Sequence, residues 1–137
     1  EAGFDFRGLV DELRCHSTAW LAAHRSEAVR EQRRWRVREL AVTAVLDERR
    51  ALEDRVAARD GVSLRSVHDT VETARALVGL PAVAAAAYSG VLSGEQLSAV
   101  TRLADADSDG EWAERAPKLE AFWFQRQLWA LPQVYRA

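Results

Sequence analysis

The chain has 137 residues, 48% hydrophobic and 29% charged, with a formal net charge of −2. That balance excludes a disordered polyampholyte and leaves enough apolar material for one domain with its own core, or one domain carrying a helical extension. The single Cys15 excludes an internal disulfide and a cysteine zinc site, and fits a reducing compartment. No apolar run has the length of a membrane span and no signal-peptide pattern opens the chain, so the expectation is a soluble cytoplasmic protein without a membrane partner. Only 7 Gly and 3 Pro occur, which favours an all-α fold. The absence of Met, even at position 1, implies a piece of a longer chain or a processed product.

Residues 9–60 contain neither Gly nor Pro. As one helix they would be about 78 Å long, so the chain is expected to fold back on itself as a long helical hairpin over 1–60. Phe6, Leu9, Val10, Leu13, Trp20 and Leu21 have helical spacing and predict a first helix over 6–23. The break is placed at His24-Arg25-Ser26, with Ser26 as N-cap of a second helix over 27–59. Its middle, Leu40 to Leu46, is apolar on nearly all sides and predicts the most buried element.

The next segment is densely punctuated. Val62 and Val67 flank Ser63 at the spacing of a hydrophobic staple, predicting a helix over 64–78 with Leu64, Val67, Val71, Ala74 and Val78 inward and Leu77 beside them. Gly79 is expected to supply a left-handed stop, and Pro81 opens a short helix over 82–89 that Gly90 closes. Ser93 and Gln96 have capping-box spacing and predict a helix over 94–104. These helices form a compact unit over 61–116. An acidic connector, Asp105 to Gly110, leads to a short helix with Trp112 and a boundary at Pro117. The last helix, over 118–129 of an aromatic C-terminal segment 117–137, has too many apolar positions for one stripe, so a second surface should cover it.

The string GVS, a helix ending ARALVGLP, then AAAAYSGVLSGEQLSAVTRLADAD and EWAERAP resemble the actinobacterial thirteen-E-twelve repeat family, a domain of unknown function that commonly precedes an HNH endonuclease module. The resemblance spans residues 37–117. Arg outnumbers Lys by 18 to 1, in keeping with GC-rich actinobacterial hosts. The order of capped helices is also similar, by analogy, to the helix-turn-helix region of ParB-type partition proteins. The resemblance implies a non-catalytic module beside a nuclease. The nuclease itself is not expected here, because an HNH centre needs closely spaced His and Asn, and this chain has 3 His and no Asn. The chain departs from the family after Ala116-Pro117, where the family turns polar and Arg-rich.

Two functions compete on the residues. Arg33, Arg34, Arg36 and Arg38 surround Trp35 on one helix, a composition suited to phosphate contact and base stacking, although Glu27, Glu31 and Glu39 lie within pairing distance. Arg65 and His68, at the start of the 64–78 helix, are secondary DNA contacts if that helix reads a groove. Charge favours the long helix for this role: residues 25–59 hold ten Arg and seven acids, net +3, whereas residues 60–116 hold four Arg and nine acids, net −5. The alternative is a protein-interaction or homodimerisation module anchored by Phe122, Trp123, Leu128 and Trp129. Asp105, Asp107, Asp109 and Gly110 match half of a calcium loop, but the position of its bidentate Glu is Ala116, so an acidic helix-capping linker is the default. No Cys/His spacing suits a metal or a nucleophile, and no cofactor is expected.

Overall fold

Ser17, not Ser26, starts the long helix. In the computed structural model, which describes residues 3–52 and 56–119, α1 spans Phe6–Leu13 and α2 runs unbroken over Thr18–Glu48. The Asp5 carboxylate accepts from the Gly8 amide at 3.1 Å and Ser17 Oγ accepts from the Trp20 amide at 3.1 Å, so each helix opens on its own cap. The predicted fold-back at His24-Arg25-Ser26 is absent. A serine caps a helix only where the backbone ahead of it is already non-helical, and the turn over residues 14–17 had freed Ser17 for that role. At 1.5 Å per residue α2 is about 46 Å long.

The helix also ends earlier than predicted. Arg50 adopts a left-handed conformation with φ 54°, and the Ala51 amide donates back to the Leu46 carbonyl at 2.8 Å while the Arg50 amide donates to Asp47 at 3.0 Å. This is a Schellman closure without its usual glycine, and it stopped the helix where no Gly or Pro announced a stop. A short α3, Val56–Asp60, follows and is closed by Gly61 at φ 68°.

The 61–104 punctuation gives α4 (Leu64–Val78), α5 (Pro81–Tyr88) and α6 (Gly94–Leu103). Ser63 caps α4 by accepting from Ser66 at 3.0 Å, and Pro81 occupies the first turn of α5. The Ser93/Gln96 box is complete at 3.1 and 2.8 Å. Gly79 is not left-handed: its φ is −92°. Helix α4 instead tightens into i to i+3 bonds, Gly79 to Ala76 and Leu80 to Leu77, before Pro81 forbids continuation. Helix α7 (Asp109–Arg115) contains Trp112, and a 3-10 turn over Ala116–Lys118 holds Pro117. No strand occurs among the described residues, and the fold is all-α.

Helix α2 packs on α4 and α5, α4 also packs on α6, and α5 on α7. Leu40, Ala74, Leu77, Leu80, Val83, Ala87, Leu92, Leu97 and Val100 form the buried centre. Only part of the predicted buried block of α2 takes part. Leu40 is 1% exposed, whereas Val42 is 53% and Val45 43% exposed, because α4 and α5 cover one face of the helix and nothing described covers the other. The predicted stripe of α4 is likewise buried only towards its end: Ala74 and Leu77 are inside, Val67 and Val71 half-buried, and Leu64 and Val78 exposed. The aromatic segment with Phe122, Trp123, Leu128 and Trp129 lies outside the described residues.

Candidate functional site

Helix α2 has two unlike faces. The inner one carries Arg33, Val37, Leu40, Ala44 and Asp47, a three-and-four spacing that keeps them on one side. Leu40 enters the core and Asp47 takes a bidentate pair from Arg75 of α4, Nε to Oδ2 at 2.7 Å and Nη2 to Oδ1 at 2.8 Å. That pair holds the Asp47 carboxyl below its ordinary value of 3.8, chiefly through the Arg75 hydrogen bond, and raises Arg75 in return.

The arginines singled out by sequence divide between these faces. Arg33 donates to the Gly90 carbonyl at 2.7 Å, and Arg34 donates through Nε to the Tyr88 carbonyl at 3.2 Å and pairs with Glu31 at 2.8 Å. Both therefore clasp the C-terminal end of α5, where unpaired carbonyls attract cations. Arg36 reaches Glu39 at 2.7 Å and Thr70 of α4 at 3.0 Å. It also lines two open clefts of about 340 and 400 Å³ on either side of α4, whose other charged residues include the paired Asp69 and Arg102. Arg38 is exposed and has no partner among the described residues, and Trp35 stands 66% exposed. On α4, Arg65 is exposed and unpaired among the described residues, whereas His68 Nε2 lies 3.1 Å from Glu72. The seven named positions thus do not converge on one ligand surface.

What the outer face does hold is one apolar row beside the charged Glu31 and Arg38. Leu21, Ala28, Trp35 and Val42 recur every seven residues, and Val45 continues beside them. Towards the start of α2, Trp20 is stacked between His16 and His24, with ring centroids 3.7 and 4.6 Å away. Sequence reading missed this seam although its spacing was visible. The Leu40–Leu46 block is apolar on nearly all sides, so its composition does not show that Val42 and Val45 lie on the face away from Leu40.

The acidic connector is consumed internally. Asp105 accepts from Ser108 through both its amide, at 2.8 Å, and its hydroxyl, at 2.9 Å, and these bonds lower its pKa. Asp109 is buried and accepts from the Ala82 and Val83 amides at 2.8 and 2.9 Å, supplying the cap that Leu80 cannot give α5. Among the described residues no group of three or more His, Cys, Asp or Glu side chains is arranged to hold a metal, and no helix is long and apolar enough to cross a membrane.

No protein-family model matches the chain, and no curated protein or solved structure matches it. The likeness of residues 37–117 to the thirteen-E-twelve repeat family therefore rests on sequence motifs alone.

Proposed function

We propose that this chain is a non-catalytic association module that works through the outer face of α2. One observation carries the reading: a seam of Leu21, Ala28, Trp35 and Val42 runs along a 31-residue helix, with Trp35 66% and Val42 53% exposed. Single exposed apolar residues need no partner, but a periodic seam on a long helix is the pattern by which helices pair. Burying each large apolar side chain of the seam is worth about 1.5–3 kcal/mol.

The test is sedimentation of the chain across a concentration series, beside Trp35→Glu and Val42→Glu. The expected result is concentration-dependent association that either substitution abolishes while helical circular dichroism is unchanged. A wild-type chain that remains monomeric up to about 1 mM would remove the reading.

DNA contact is the second reading, supported by Arg38 and Arg65, which have no partner among the described residues, and by the exposed ring of Trp35. With three of the named arginines engaged inside the chain, few cations remain for phosphate. The slope of log K against log salt should then be about −2. The family resemblance adds a setting for either reading, in which the module positions an HNH nuclease carried on other residues.

A further inference from the structure

The outer seam of α2 is self-complementary in one orientation. Written as heptads, Leu21, Ala28, Trp35 and Val42 fall at one core position and His24, Glu31, Arg38 and Val45 at the other. The core-packing residues Arg33, Leu40 and Asp47 each follow a seam residue by five, about 140° around the helix, so α4 and α5 leave the seam clear. A parallel, in-register pairing would set Glu31 and Arg38 each against its own copy, and like charges juxtaposed across an interface are destabilising.

Antiparallel pairing removes those clashes from the core layers; the one like pair it leaves, Arg34 beside its own copy at the flank, has each guanidinium held by Glu31 and the Tyr88 carbonyl of its own chain. We propose that two copies of this chain dimerise through α2, antiparallel and centred on residue 33. Leu21 then meets the partner's Val45, His24 the partner's Val42, Ala28 the partner's Arg38, and Glu31 the partner's Trp35. The small Ala28 leaves room for the stem of the partner's Arg38, whose guanidinium head comes beside Glu31 one layer along. At the flank of the seam, Arg25 comes beside the partner's Glu39.

An independent observation selects these pairs. Within one chain Arg30 pairs with Glu27, Arg33 with Gly90, Arg34 with Glu31 and Arg36 with Glu39. Among the described residues, Arg25 and Arg38 are the two arginines of α2 without a partner. They are also the two that this register brings to acids of a second copy. The contact from Leu21 to Val45 is about 36 Å long. A helix pair of that size, with polar groups in its layers, makes a small interface and a reversible dimer.

The proposal rests on the association reading above, and its test separates the two. In a Cys15→Ser background, full chains carrying Leu21→Cys or Val45→Cys are treated with a short bis-maleimide, separately and mixed. Cross-linking is expected in the mixture and in neither variant alone, since the two copies of residue 21 would lie about 36 Å apart. Glu31→Arg should weaken the dimer by at least about tenfold, and adding Arg38→Glu should restore it. Self-cross-linking of the Leu21→Cys chain, or no 21-to-45 cross-link while the wild-type chain still associates, would overturn the antiparallel register and leave the association reading standing. A monomeric wild-type chain would overturn both.

Discussion

Arg33 donates to the carbonyl of Gly90 at 2.7 Å, and that glycine lies against the same helix so closely that an added Cβ would come 2.8 Å from Arg30 Cγ and 3.2 Å from Arg30 Cα. The end of α5 is thus seated on the backbone of α2 and held there by a charged donor. Gly90 also has φ 90°, a region that a side chain disfavours. Gly90→Ala should therefore lower stability by about 2–4 kcal/mol, combining backbone strain with overpacking. Arg33→Ala should lower it by about 1–2 kcal/mol through loss of a charge-assisted bond. Urea denaturation measures both. An unchanged midpoint in Arg33→Ala would mean that this guanidinium is free for other work.

Asp109 ties the acidic connector to the core. Its carboxylate satisfies two amides at the start of α5, one of them on the fully buried Val83. Asp109→Ala should cost about 2 kcal/mol and accelerate hydrogen exchange at Ala82 and Val83 ahead of the rest of α5. Asp109→Asn, which keeps one acceptor, should fall between. Wild-type protection of those two amides in the alanine variant would refute the cap.

The stop of α2 is strained at Arg50, a non-glycine residue at φ 54°. Arg50→Gly should raise stability by about 0.5–1 kcal/mol, since relief of the left-handed penalty exceeds the added chain entropy. Thermal unfolding at matched pH would show the gain as a higher midpoint. A lower midpoint would point to a role for the arginine side chain that its backbone conformation does not reveal.

The Asp47–Arg75 pair makes part of the stability acid-labile. The folded pKa of Asp47 lies below its ordinary value of 3.8, so the contribution is complete above about pH 4 and disappears as pH falls through the folded value. Asp105, lowered by Ser108, acts in the same direction. Unfolding free energy measured from pH 6 down to pH 2 should fall less steeply in Asp47→Asn than in wild type. Parallel acid limbs would show that folding leaves the Asp47 pKa unchanged and would remove the pair's contribution.

The features legible in the sequence are those whose physics closes within three or four residues. Ser63 and the Ser93/Gln96 box act on amides within one turn, and Pro81 acts through its own missing N–H and fixed φ, so their roles follow from spacing alone, and with them the all-α class and the boundaries of α4, α5 and α6. Ser17 and Arg50 obey the same local rules, but each competes with neighbours of equal propensity, so spacing alone does not single them out. What lies farther along the chain was open to tertiary structure only. Arg33 finds its carbonyl 57 residues away, Arg36 its hydroxyl 34 away, and Asp109 its amides 26 and 27 away. A guanidinium binds a phosphate or a backbone carbonyl by the same chemistry, and composition does not say which one is near. The two faces of α2 were decided in the same way: Leu40 and Val42 are equally apolar, and only the position of α4 and α5 buries the first and leaves the second uncovered.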